Sequence, residues 1–98
     1  MVTKEQVMKA LESVLDPEFP ISVVDMGLIY DVKVNKTSVS VRMTLTNPGC
    51  PMSSVIINMV KNKIESLKGV KAAEIELTFD PPWTPEMLSS IAKKKLGL

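Results

Sequence analysis

Two stretches with a two-residue period, 28–34 and 39–45, lie only four residues apart. In the first, Leu28, Tyr30, Val32 and Val34 alternate with Ile29, Asp31 and Lys33. In the second, Val39, Val41, Met43 and Leu45 alternate with Ser40, Arg42 and Thr44. A strand produces this pattern because its successive side chains point to opposite faces. The connection, 35–38, suits a hairpin, so the two strands run antiparallel. A third alternation sets Ala73, Ile75, Leu77 and Phe79 inward against Glu74, Glu76 and Thr78 outward. It follows a helical stretch of crossover length, which returns the chain parallel to the strand it left. Three strands in a mixed sheet is the expected frame.

The helices are read from spacing and from their ends. Thr3 and Gln6 stand at capping-box separation ahead of Val7, Leu11, Val14 and Leu15 on one helical face. That helix is expected to end where Asp16 precedes Pro17, because the residue before a proline avoids helical angles. Pro51 suits a first helical position. After it, Met52, Val55, Ile56, Met59, Val60, Ile64 and Leu67 form a broad apolar stripe, and Gly69 is placed to cap it. Asp80-Pro81-Pro82-Trp83 stops the third strand. Thr84 and Pro85 then open a short last helix with Leu88, Ile91 and Ala92 facing in. The order α-β-β-α-β-α predicts an α/β (α+β) two-layer sandwich, with helices packed on a small three-stranded mixed sheet.

At 98 residues the chain has room for one core, and we expect a single domain over 1–98. Twelve basic and eleven acidic side chains leave a formal charge of +1, which lacks the basic excess of a nucleic-acid or membrane-surface protein. Four aromatic residues are too few for a base-stacking platform. No nucleic-acid or membrane partner is therefore expected. Without a signal-like apolar start or an 18-residue apolar run, the reading is cytoplasmic. Met8, Met26, Met43, Met52, Met59 and Met87 are spread over helix and strand faces, where core filling explains them better than a thioether metal site.

Histidine is absent and cysteine occurs once, at Cys50. Ser-His-Asp and Cys-His catalysis and every imidazole metal site are thereby excluded within one chain. So are an internal disulfide and a multi-cysteine metal site.

Cys50 follows Asn47-Pro48-Gly49, a turn able to present a sulfur, and stands just before a helix, whose free N–H groups favour a thiolate. The plain alternative is a small buried hydrophobe plugging a gap. Asp16 and Glu18 flank Pro17, so both carboxylates ride on a stiff turn as hard ligands or proton acceptors. They equally fit a surface turn. Asp25, set between Val24 and Met26, is a candidate for a buried, hydrogen-bonded carboxylate. Thr44 and Thr46 share one face at the end of the second strand and can line a pocket under Cys50, or serve simply as good strand formers. Trp83 is a candidate partner contact, or a cover over the edge of a small core.

Four blocks, in order and at this spacing, carry a resemblance: Asp16-Pro17-Glu18; 21–30 with Ser22, Asp25 and Gly27; Leu45-Thr46-Asn47-Pro48-Gly49-Cys50-Pro51; and Asp80-Pro81-Pro82-Trp83-Thr84-Pro85. Together they resemble the SufT and PaaD-like family of iron–sulfur assembly proteins, also called the MIP-eighteen family or domain of unknown function fifty-nine. The resemblance runs from about Val7 to Leu88. It implies a small α/β domain that assists maturation of cytoplasmic iron–sulfur proteins through its loop cysteine. On that basis Cys50 takes the key role, with Asp16, Glu18 and Thr46 in support. The absence of a cysteine-rich stretch and of a Gly-x-x-x-x-Gly-Lys motif fits the stand-alone SufT-like branch.

The function expected is therefore an assembly or carrier factor, not an enzyme, whose partners are the iron–sulfur assembly machinery and client apoproteins. A P-loop ATPase carrier and a second copy of the chain are further candidate partners. An iron–sulfur cluster normally takes four protein ligands, mostly thiolates. With one thiol and no imidazole, any iron or cluster at Cys50 is expected to be labile and shared with another chain, a partner or a small thiol. Two other readings stay open at this point. One is a thiol enzyme with Cys50 as nucleophile and Asp16 or Glu18 as base, although a carboxylate matches a thiol poorly in proton affinity. The other is an adaptor in which Cys50 is structural.

Overall fold

The structure, a computed structural model, describes residues 2–16, 21–45 and 53–97. Glu18, Thr46 and Cys50 of the expected site lie outside the described residues, as do Pro51 and Met52 at the expected start of the second helix.

Helix α1 spans Lys4–Leu11. The capping box at its start is complete: Gln6 N–H donates to Thr3 Oγ1 at 3.1 Å and Thr3 N–H donates to Gln6 Oε1 at 2.9 Å. Val7 and Leu11 face the core. The helix ends sooner than expected from Pro17. After Leu11 the chain turns through Glu12 and Ser13, and Val14 accepts from Val23 N–H while Asp16 N–H donates to Ile21, both at 2.9 Å. Leu15 is consequently in an antiparallel bridge with Ser22 and is 47% exposed, not part of a helical face.

Strands β1 (Ile29–Asn35) and β2 (Ser38–Met43) form the expected antiparallel hairpin, closed by a turn in which Lys36 adopts positive φ. Helix α2 (Ser53–Glu65) leads to β3 (Ala72–Leu77), which lies parallel to β2, so the sheet order is β1-β2-β3. The register aligns Val32 with Val41, and Val39 with Ala73, on the face that buries against the helices. Ile56, Val60 and Ile64 of α2 complete that core. The broad stripe expected for α2 is narrower in fact: Val55 and Met59 are left 40% and 37% exposed. One helix face on a three-stranded sheet covers about a third of its circumference, so residues 100° from the centre of the stripe remain in solvent.

The chain after β3 also departs from expectation. Pro85–Met87 is a single 3₁₀ turn, and Thr84 makes no side-chain cap to it. The helix proper, α3 (Ser90–Leu96), is capped instead by Ser89, whose hydroxyl accepts from Ala92 N–H at 3.1 Å. Leu88 and Ala92 are buried as expected, but Ile91 is 57% exposed.

Candidate functional site

The site expected from the sequence depends on bringing the 16–18 turn to the end of β2. A series of backbone hydrogen bonds runs from the chain before Asp16 to the end of β2. Thr44 N–H donates to Leu28 O at 2.8 Å, Leu28 N–H to Val23 O at 3.1 Å, and Val23 N–H to Val14 O at 2.9 Å. Two residues beyond Val14, Asp16 N–H closes onto Ile21 O. Both 17–20 and 46–52 therefore depart from this one ladder, the first after Asp16 and the second after Leu45. Asp16 is buried at 7% exposure, contrary to a plain surface turn, and Leu45 is buried beside the core.

Thr44 is fully buried. Among the described residues its hydroxyl reaches the carbonyl of its own neighbour, Leu45, at 3.4 Å. That is a long contact for a hydroxyl donor. Asp25 is half-buried and held on three sides. Ser22 Oγ donates to Asp25 Oδ2 at 3.3 Å and accepts from Asp25 N–H at 3.0 Å, while Asp25 O accepts from Ser89 N–H at 2.8 Å. The sequence spacing Ser22-x-x-Asp25 carried this signal, since a hydroxyl three residues before an acid can exchange bonds with it.

Trp83 lies partly buried against the core, and its Nε1–H donates to the carbonyl of buried Met26 at 2.6 Å. Close by in sequence, Tyr30 OH donates to Pro81 O at 2.7 Å and lies 3.6 Å from Met87 Sδ. Tyr30 occupies the point where the β1–β2 register shifts, between Ile29 and Asp31. Such an irregularity re-aims a side chain, here towards the 80–87 segment. Gly27 (φ +74°) completes the arrangement by letting Met87 approach its Cα. Two of the four sequence blocks, 21–30 and 80–85, are thus clasped together. The sequence places Gly27 and Tyr30 in one block and Pro81 and Trp83 in another, but gives no sign that the blocks meet, because the clasp joins positions more than fifty residues apart.

Among the described residues no three acidic or thiol side chains come together as a metal site.

The profile of the iron–sulfur cluster assembly protein family matches residues 4–77. Over 96 residues the chain is 48% identical to an Fe-S protein maturation auxiliary factor of Porphyromonas gingivalis, covering 97% of this chain and 91% of that protein. It is 41% identical over 96 residues to the Fe-S protein maturation auxiliary factor YitW of Bacillus subtilis, with 97% and 94% covered. A crystal structure of a domain of unknown function fifty-nine from Bacillus anthracis superposes with a TM-score of 0.93 at 34% identity, covering 97% of this chain and 92% of that one.

Proposed function

The chain belongs to the iron–sulfur cluster assembly protein family, and from that premise we propose that it is a non-catalytic auxiliary factor for iron–sulfur protein maturation, acting through Cys50. The observation that carries the role is likeness over nearly the whole length to two maturation auxiliary factors. In this reading the protein works in the cytoplasm, with the assembly machinery and client apoproteins as its partners.

The thiolate of Cys50 holds iron or a nascent cluster as cargo. A soft, anionic sulfur suits iron. One thiol cannot satisfy a cluster that takes four ligands, so the cargo is shared with a partner, a second copy or a small thiol, and is released readily. Support for the surroundings comes from the ladder that ties Val14, Val23, Leu28 and Thr44, because it joins the chain before 17–20 to the chain before 46–52. Asp16, Glu18, Asp25, Thr44 and Thr46 are assigned supporting roles to Cys50. Trp83 has its N–H committed to Met26, so a partner would meet its ring alone.

The experiment replaces Cys50 by Ser and follows client maturation and client binding separately. The expected outcome is lost maturation with binding retained. Unchanged maturation would replace this reading by that of an adaptor. After anaerobic reconstitution, iron should leave the wild-type monomer on desalting, and a monomer that retains a full cluster would refute the shared-ligand account.

A further inference from the structure

We infer that the free edge of β3 is a docking strand for an extended segment of another protein in which basic and apolar residues alternate. This inference is independent of the role assigned to Cys50.

β3 is the outermost strand, and no strand pairs with its far side among the described residues. Ala72 and Thr78 direct their N–H groups to the β2 side, onto Thr37 O and Met43 O at 3.4 and 2.9 Å. In a parallel ladder, alternate residues bond to the same neighbour. The main-chain groups of Ala73, Ile75 and Leu77 therefore point away from β2 and can pair with a further strand. The apolar row on the core side is unfinished in the same direction. Ala73 is buried and Ile75 half-buried, whereas Leu77 and Phe79 are each 37% exposed. Side chains from an added strand would cover them.

The opposite face decides the charge of that strand. Pairing aligns Asp31, Arg42 and Glu76 in one cross-strand row, and Lys33, Ser40 and Glu74 in the next. Signs alternate along the first row, with Arg42 Nε 3.8 Å from Glu76 Oε2. Both rows end on an exposed glutamate at the β3 edge, so the next position in each calls for a cation. A second copy fails this requirement. Antiparallel pairing of two β3 strands in register sets glutamate against glutamate, and a one-residue slip turns the apolar row to the wrong face. The other edge, β1, is also unsuited: the irregularity at Tyr30 interrupts it, and Asp31 and Lys33 end their rows with opposite signs. Addition of a strand to a sheet edge is an established mode of peptide recognition, with main-chain bonds for affinity and alternate side chains for specificity.

The test uses two synthetic peptides of equal length, one alternating Lys with Val and the other Glu with Val. Amide hydrogen exchange of the wild-type protein is the readout. At saturation the Lys–Val peptide should slow the exchange of Ala73, Ile75 and Leu77 by about tenfold or more, and the Glu–Val peptide should not. The double variant Glu74→Lys/Glu76→Lys should reverse the preference. Leu77→Pro should abolish binding while keeping the sheet, since proline is tolerated on an edge where its missing N–H faced outward. Should that variant unfold, the charge reversal still decides. Equal protection by both peptides, protection confined to another region such as the groove of Gln6, Lys9, Lys63 and Leu67, or self-association through β3 in sedimentation would each overturn the inference.

Discussion

Gly27 and Met87 meet so closely that a methyl group added to Gly27 would fall 2.8 Å from Met87 Cβ and closer still to the Met87 carbonyl oxygen. The backbone at Gly27 also has φ +74°, where side chains are disfavoured. Both effects act against Gly27→Ala. The left-handed conformation costs about 1 kcal/mol, and displacement of Met87 adds about 1–3 kcal/mol. Thermal unfolding should shift down by roughly 10 °C or more for a chain of this size. An unchanged melting temperature would show that the 80–87 segment is not tightly clasped to the 26–27 turn.

Trp83→Phe keeps an aromatic ring but leaves the carbonyl of buried Met26 without its indole donor. The expected loss is about 1–2 kcal/mol, read as a lower denaturant midpoint with unchanged slope. Tyr30→Phe removes a hydroxyl bond to Pro81 at a more exposed position, so its effect should be about half as large or less. The reverse ranking would mean that the Tyr30 contact carries the clasp.

Thr44→Val separates the fold from the function. Among the described residues the hydroxyl makes the 3.4 Å contact to Leu45 O, so stability should stay within about 1 kcal/mol of wild type. If Thr44 belongs to the pocket under Cys50, client maturation falls while the denaturation midpoint holds. Equal maturation by the variant would remove Thr44 from the site.

Glu86 titrates below the ordinary glutamate value of 4.5. Its own main-chain N–H contributes most, followed by the Thr84 hydroxyl; desolvation opposes them, and attraction to Lys93 contributes least. A carboxylate lowered in the folded state stabilises the fold fully above about pH 4.5, and that contribution is lost as pH falls through the lowered value. Thr84→Ala should move the Glu86 titration upward when its side-chain carbon is followed by NMR. Lys93→Met should move it less. No movement in Thr84→Ala would exclude the hydroxyl as a cause.

Some of the molecule was legible in the chain before any coordinates. Period-two alternation at 28–34, 39–45 and 73–79, with the lengths of the connections, is sufficient for a mixed three-stranded sheet. Thr3 and Gln6 announce the start of α1 because a capping box is a local exchange of two hydrogen bonds. Absent histidine and a lone Cys50 limit the chemistry regardless of fold. Four of the residues expected at the site, Asp16, Asp25, Thr44 and Trp83, fall within the described structure. Burial of Asp16 and the bonding of Asp25 show how they are held, but Cys50 itself lies outside the described residues.

The features readable along the chain are periodic or local: which residues alternate, where a helix is capped, and which reactive groups exist. Only the tertiary structure decided where α1 ends, because Val14 and Asp16 exchange helical bonds for partners at Val23 and Ile21. It decided equally that Leu15, Val55, Met59 and Ile91 stay partly in water, and that Gly27 must lack a side chain. Periodicity records a residue's orientation on its own element. Burial depends on whether a second surface, supplied by a distant part of the chain, arrives to cover it.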